Sequence, residues 1–154
     1  MSKLKCGFFK FTGCAGCQME VLRAEDVLPQ MLEHVEIAYW PMVTSKGWEV
    51  DLDVAFIEGS VSTPREIREI KEIRERTKIL VAFGDCAVTG CIPSIRNFMT
   101  QREAEKAVYL HPSWIESIGL RGIYEYVDVE VSLPGCPPHR DTILEVVKGA
   151  ALSR

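Results

Sequence analysis

The chain has 154 residues, a length that fits one domain able to close its own core without disulfide or metal staples. Eighteen Lys and Arg stand against 22 Asp and Glu, a formal charge of −4, which argues against a protein that tracks nucleic-acid phosphates. With 47% hydrophobic and 26% charged residues, bulk disorder is excluded; the apolar runs Val54 to Ile57 and Ile79 to Phe83 are too short for membrane insertion.

In chain order, the N-terminal stretch is broken by Lys3 and Lys5 and has neither a signal-peptide core nor a twin-Arg motif, so a cytoplasmic protein is expected. Lys5 to Phe11 reads as a first strand, and Cys14 to Cys17 as a Gly-punctuated loop. Gln18 to Glu33 carries a helical pattern that Pro29 is expected to kink or divide. Val35 to Trp40 reads as a second strand, stopped by Pro41. Val54 to Ile57 has the pure apolar run of a strand covered on both faces. Ser62-Thr63-Pro64 offers a cap with proline in the first turn, followed by an amphipathic helix to about Arg76. Ile79 to Phe83 and Val127 to Leu133 complete the strands, and a helix runs from about Asp141 to Leu152. Residues 96–126 carry a mixed helix and a stretch without a clear assignment. Strands alternating with helices predict a single α/β domain over residues 1–154, a three-layer, flavodoxin-like parallel sheet with helices on both faces.

A reducing compartment seldom keeps structural disulfides, so the six cysteines (Cys6, Cys14, Cys17, Cys86, Cys91 and Cys136) read first as metal, iron–sulfur or redox chemistry. Their places in the pattern are informative. Cys14 and Cys17 follow the first strand in Thr-Gly-Cys-Ala-Gly-Cys. Cys86 follows the strand ending at Phe83, and Cys136 follows the last strand in Leu-Pro-Gly-Cys-Pro-Pro. All four therefore belong to the carboxyl edge of a parallel sheet, where such folds put their ligands. Gly13, Gly84 and Gly135 precede them and allow sharp turns against a bulky group. Four thiolates drawn from strands about 4.8 Å apart suit a cubane better than a single zinc ion, whose sites usually pair two C-x-x-C knuckles. A thioredoxin-like dithiol at Cys14 and Cys17 is the competing reading, and it leaves Cys86 and Cys136 without a task.

The run of Gly-Cys-Ala-Gly-Cys, Phe-Ile-Glu-Gly-Ser-Val, Gly-Asp-Cys-Ala-Val-Thr-Gly and Leu-Pro-Gly-Cys-Pro-Pro resembles the small subunit of [NiFe] hydrogenases, most of all the cytosolic bidirectional NAD(P)-linked type. The resemblance spans residues 5 to about 148. It implies that Cys14, Cys17, Cys86 and Cys136 hold one [4Fe–4S] cluster next to the nickel–iron site of a large subunit. It also implies a non-catalytic, electron-transferring subunit that hands electrons to further iron–sulfur or flavin subunits, the nickel–iron centre and flavin belonging to those partners. Two departures are evident. Cys91 stands where Gly or Asn is expected and competes with Cys86. The chain also ends 18 residues after Cys136, where respiratory-type subunits continue into a two-cluster extension. The related complex I subunit and membrane-bound hydrogenase modules share the domain, but the complex I version uses adjacent cysteines, and this chain has no Cys-Cys pair.

Several other residues carry expectations. Glu20 is expected in the first turn of the helix after Cys17, as a charge favouring the helix N-terminus or as a proton relay. Glu58 divides between a buried hydrogen-bonder and a liner of a subunit interface. Loop amides at Gly13, Ala15, Gly16, Ala87 and Gly135 are expected to donate to cluster sulfurs. His139 reads as an exposed residue at a helix start, and Cys6 as a small core residue. Trp40-Pro41-Met42 divides between core and docking surface.

Overall fold

The strand β3 (Leu52–Glu58) is buried at every one of its seven residues, and the rest of the domain is arranged around it. In the computed structural model, which describes residues 3–152, β3 is the centre of a five-stranded sheet of order β2-β1-β3-β4-β5. The other strands are β1 (Leu4–Lys10), β2 (Val35–Tyr39), β4 (Thr77–Phe83) and β5 (Val131–Leu133). All four pairings are parallel, so every connection crosses over the sheet and every carboxyl end lies on one edge.

Successive strand residues point to opposite faces. Phe8, Val54, Phe56, Val81 and Phe83 face one core, closed by α1 (Gly16–Arg23), α2 (Val27–His34) and α6 (Arg140–Leu152) through Val21, Met31, Ile143 and Val147. Phe9, Ala55, Ile57, Leu80 and Ala82 face the other, closed mainly by α3 (Pro64–Glu75) through Ile70 and Ile73. Phe8 stacks on Trp40 at 4.1 Å and on Phe56 at 4.7 Å between ring centroids. The three-layer architecture expected from the strand–helix alternation is the one observed.

The helix α3 starts where the sequence indicates. Thr63 accepts from the Glu66 amide, Glu66 accepts from the Thr63 amide, and Pro64 fills the first position, a complete capping box. Three elements differ from expectation. The helical stretch after Cys17 is two helices, and the break falls at residues 24–26 rather than at Pro29. Pro29 sits in the first turn of α2, where its missing N–H costs nothing. The last strand is only three residues long. Just ahead of it Glu130 N–H donates to the Leu80 carbonyl at 3.1 Å, while its side chain takes the Leu80 amide at 2.7 Å and pairs with Arg74 at 2.6 Å, so a carboxylate supplies one half of the pairing there. Between β4 and β5 the chain runs through short helical pieces: α4 (Asp85–Thr89), a 3-10 turn at Ile92–Phe98 and then, in the stretch without a clear assignment, α5 (Gln101–Val108) and 3-10 turns at Pro112–Trp114 and Ile123–Glu125. Among the described residues no helix is long and apolar enough to cross a membrane.

Cys6 lies in the first core, as expected. Burial, with Asp53 adding to it, pushes its thiol from 9.0 up to about 12. Below pH 9 the thiol is neutral in both folded and unfolded chains. Between pH 9 and about 12 only the unfolded chain loses the proton, so stability falls as pH rises through that window. Cys6→Ala is expected to flatten this decline by up to about 1.4 kcal/mol per pH unit, measured by urea titration at successive pH values.

Candidate functional site

The site is assembled from loops at the carboxyl edge. Beyond β1 the chain is sewn to β3, with Phe11 N–H donating to the Glu58 carbonyl at 2.7 Å and Thr12 exchanging bonds with Ser60. The loop then delivers Cys14, exposed, and Cys17, buried. The helix α1 has no local side-chain cap, since Ala15 occupies the cap position with φ 66°. Its first amides go elsewhere: Gly16 N–H to the Cys14 Sγ at 3.4 Å, and Cys17 and Gln18 N–H to the two oxygens of Glu58 at 3.1 and 3.2 Å. Glu58 is 2% exposed, and a carboxylate so buried requires such partners. The positive end of α1 supplies them. The neighbouring Gln18 accepts from Trp40 Nε1 at 2.8 Å and donates to the Phe9 carbonyl at 3.5 Å, so Trp40 is core while Met42 beside it is exposed.

On the other side of β3, Gly84 ends β4 and Cys86 follows in α4. A Cβ at Gly84, whose φ is +88°, would collide with the Cys17 Sγ, so glycine is what admits that sulfur to the strand end. Asp85 joins this loop to the one after β5. Its N–H donates to the Gly135 carbonyl at 2.9 Å, and Gly135 N–H donates to its Oδ1 at 2.7 Å. Ser60 Oγ donates to the carbonyls of Cys86 and Gly90 at 3.0 and 3.2 Å. Cys136, exposed, follows Gly135 and precedes a cis Pro137.

The thiols influence one another across the three loops. Cys17 is pushed well above the ordinary thiol range by burial and then by Glu58, to which it also hydrogen-bonds, with Cys86 and Cys14 adding to the shift. Burial, then Cys91, Cys136 and Cys14, push Cys86 up to about 11. Cys136 is raised by desolvation first and then by Cys91, Cys14 and Asp85. Such thiols are neutral near pH 7, so binding a soft metal group there releases protons.

Cys14, Cys17, Cys86 and Cys136 thus share one neighbourhood, and Cys91 joins them, hydrogen-bonded to both Cys86 and Cys136. The backbone at Cys91 has φ 41°, which accounts for the expectation of Gly or Asn there. Among the described residues, no three His, Cys, Asp or Glu side chains are drawn together tightly enough to hold a single metal ion. The donor chemistry, soft sulfur on three loops with glycine cradling Cys17, fits an iron–sulfur group.

Other expectations divide. Glu58 is the buried hydrogen-bonder. Glu20 lies in the second turn of α1, not the first, because the helix begins at Gly16. Of the amides expected to serve sulfurs, Gly16 meets Cys14, whereas Ala87 donates to the Gly84 carbonyl and Gly135 to Asp85. His139 is exposed and lies at the start of α6, 3.4 Å from Asp141. Asp85, Gln18 and Ser60 were not anticipated; the acid immediately ahead of Cys86 was the available signal for the first.

Residues 14–150 match the family described as NADH ubiquinone oxidoreductase, 20 Kd subunit. The delta subunit of sulfhydrogenase 2 from Pyrococcus furiosus is 32% identical, over 94% of this chain and 60% of that protein. The delta subunit of NAD-reducing hydrogenase HoxS from Cupriavidus necator is 28% identical, over 94% and 77%. The chain spans about half the length of the F420-non-reducing hydrogenase G subunits it also matches, 52% in Methanococcus voltae. Among solved structures, a chain of an NAD+-reducing [NiFe]-hydrogenase in the H2-reduced state superposes with a TM-score of 0.86 and 26% identity, over 99% of this chain and 93% of that one.

Replacing Glu58 by Ala leaves two first-turn amides and a thiol without their acceptor. A loss of about 2–3 kcal/mol is expected, with Glu58→Gln intermediate, measured by urea unfolding. Faster alkylation of Cys17 in the Ala variant is the local readout.

Proposed function

The chain belongs to the NADH ubiquinone oxidoreductase 20 kDa subunit family, and we propose that within it this protein is the electron-transfer small subunit of a [NiFe] hydrogenase of the soluble, NAD(P)-linked kind. In this reading Cys14, Cys17, Cys86 and Cys136 hold one [4Fe–4S] cluster. When bound, that group supplies one-electron transfer between a hydrogen-activating large subunit and a further iron–sulfur or flavin subunit. The observation that carries the reading is the convergence of four thiols, from loops after three parallel strands, on one edge of the sheet. Hydrogenase delta subunits that are 32% and 28% identical over 94% of this chain support the same assignment.

The chain's own residues have definite tasks in this reading. Glu58 holds the α1 amides and the Cys17 thiol, which fixes where one sulfur points. Asp85 and Gly135 bind each other's loops, which fixes the spacing between Cys86 and Cys136. Gly84 leaves room for the Cys17 sulfur. Gly16 N–H donates to the Cys14 sulfur, and an amide of this kind stabilises the more negative, reduced state of a bound cluster. No pair of C-x-x-C motifs for a nickel–iron centre exists here, since Cys14 and Cys17 are the sole such pair in the sequence. The chain relays electrons and leaves hydrogen activation to its partner.

The dithiol reading is less well supported, because it uses only Cys14 and Cys17 and leaves Cys86 and Cys136, which influence each other and Cys14 across the loops, without a task. A complex-I-like module is favoured by the family description alone; it predicts assembly without a nickel-containing subunit.

Anaerobic purification followed by iron and acid-labile sulfide analysis is expected to find about four irons per chain, with an EPR signal after reduction. Single Cys→Ser changes at positions 14, 17, 86 and 136 are expected to remove at least half of that iron or alter the signal. Cys91→Ser is expected to leave iron content near the unaltered level. An iron-free, colourless chain with thiol reductase activity would sink the proposal, and loss of iron on changing Cys91 but not Cys86 would reassign the third ligand.

A further inference from the structure

The helix α1 is two turns long, and its fully buried residues are Cys17, Gln18 and Val21, with Leu22 half-buried beside them. A helix so short has little stability of its own, and this face lacks the broad apolar stripe that normally seats a helix on a sheet. Polar seats take its place. Cys17 and Gln18 are consecutive, so their side chains leave the helix about 100° apart, and they fall on opposite sides of the central strand. The Cys17 sulfur lies against Gly84, just beyond β4. The Gln18 side chain reaches β1, where Nε2 donates to the Phe9 carbonyl at 3.5 Å, two residues past the point at which the pairing with β2 ends. Glu58, at the end of β3 between them, holds both backbone amides.

Trp40 completes the seat on the Gln18 side. Its indole N–H can only donate, so the bond at 2.8 Å makes Oε1 of Gln18 the acceptor and turns Nε2 toward Phe9. The indole is itself clamped: it is 1% exposed and stacks on Phe8 at 4.1 Å, which stacks in turn on Phe56 at 4.7 Å. Gln18 is equally buried. A primary amide inside a core is costly unless its hydrogen bonds are made, and a paired one admits a single arrangement where apolar side chains would admit several. Glu58 alone fixes where the first turn of α1 sits but leaves it free to roll about the carboxylate. The bond from Trp40 opposes that roll, and any roll carries the Cys17 sulfur toward or away from Gly84.

We propose that Gln18 and Trp40 are a positioning pair for Cys17: their hydrogen bond fixes the rotation of α1 about its axis and thereby the direction of the Cys17 sulfur. This deepens the function proposed above and rests on it, since there Cys17 is one of four cluster ligands, and the orientation of a ligand tunes the group it holds. Neither residue is a ligand, and both act through Cys17.

The test compares the unaltered full chain with Gln18→Leu, Trp40→Phe and the double variant, each checked for folding by circular dichroism. Trp40→Phe keeps an aromatic ring for the stack and perturbs the core least. In the iron-free chain, alkylation by iodoacetamide is followed by peptide mass spectrometry at Cys17 and at Cys6, which lies within β1 in the same core and reacts only when the domain opens. Each single variant is expected to raise the ratio of Cys17 to Cys6 labelling about fivefold or more. The double variant leaves no buried indole N–H unpaired, so its urea midpoint is expected to recover toward that of the unaltered chain, while the raised ratio persists. A purely structural role predicts that ratio and stability recover together. In the chain loaded with iron and sulfide, Gln18→Leu is expected to change the EPR g-values of the reduced state and to shift the midpoint potential. A folded Gln18→Leu chain with an unchanged labelling ratio would overturn the inference. So would a double variant whose ratio returns with its stability, or a loaded Gln18→Leu chain with unaltered g-values and potential. If the unaltered chain takes up no iron, the cluster reading falls, and the labelling ratio decides the positioning pair by itself.

Discussion

A single buried carboxylate organises the carboxyl edge. Glu58 ends the central strand with its charge out of water, and the stabilisation of that charge comes from the first turn of α1. The dependence is mutual, since α1 begins without a local cap and its amides would otherwise lack acceptors. One ion–amide contact therefore sets the direction in which α1 leaves the sheet. The Cys17 sulfur follows from that direction, and it reaches β4 because Gly84 has no side chain to stop it. Truncating the carboxylate removes helix capping, thiol positioning and charge compensation together, which is why its effects are not separable by residue.

Across β3 the second half of the site uses a different device. Asp85 and Gly135 exchange a backbone bond and a side-chain bond, tying the loop after β4 to the loop after a strand of only three residues. A strand so short contributes few ladder bonds, and the loop bonds make up for it in fixing Cys136. Glu130 performs a similar substitution one step earlier, giving its carboxylate to an amide that a longer strand would have paired. The short backbone ladder of the edge strand is thereby extended by side chains.

The same domain presents two kinds of surface. The two helical layers bury their apolar stripes, and α3 closes one of them with a complete capping box. The excursion from 91 to 119 does the opposite, spending its polar groups inward and its apolar ones outward. Both arrangements satisfy backbone hydrogen bonds. Only the first satisfies the hydrophobic effect within one chain.

Much of this was legible in the residues themselves. The apolar runs of β3 and β4, Thr63-Pro64 at the head of α3, and glycines ahead of the cysteines are local signals, since strand periodicity, capping and positive-φ turns depend on neighbours within a few residues. Parallel order then placed Cys14, Cys17, Cys86 and Cys136 on one edge without any coordinates. What required the tertiary structure was each contact between residues far apart in the chain. Pro29 looked like the breaker, but the break lies at residues 24–26. Val127 to Leu133 looked like a full strand until Glu130 reached Leu80 and Arg74. Gly135 and Ala87 looked like donors to sulfur, but their N–H groups donate to the Asp85 carboxylate and the Gly84 carbonyl. Cys91 looked like a competitor of Cys86, and it lies close enough to push up the thiols of both Cys86 and Cys136. The division is physical: spacing along a chain specifies element type and strand end, whereas the partner of a hydrogen-bonding group is chosen among all those that folding brings within 3 Å, and sequence separation carries no record of that choice.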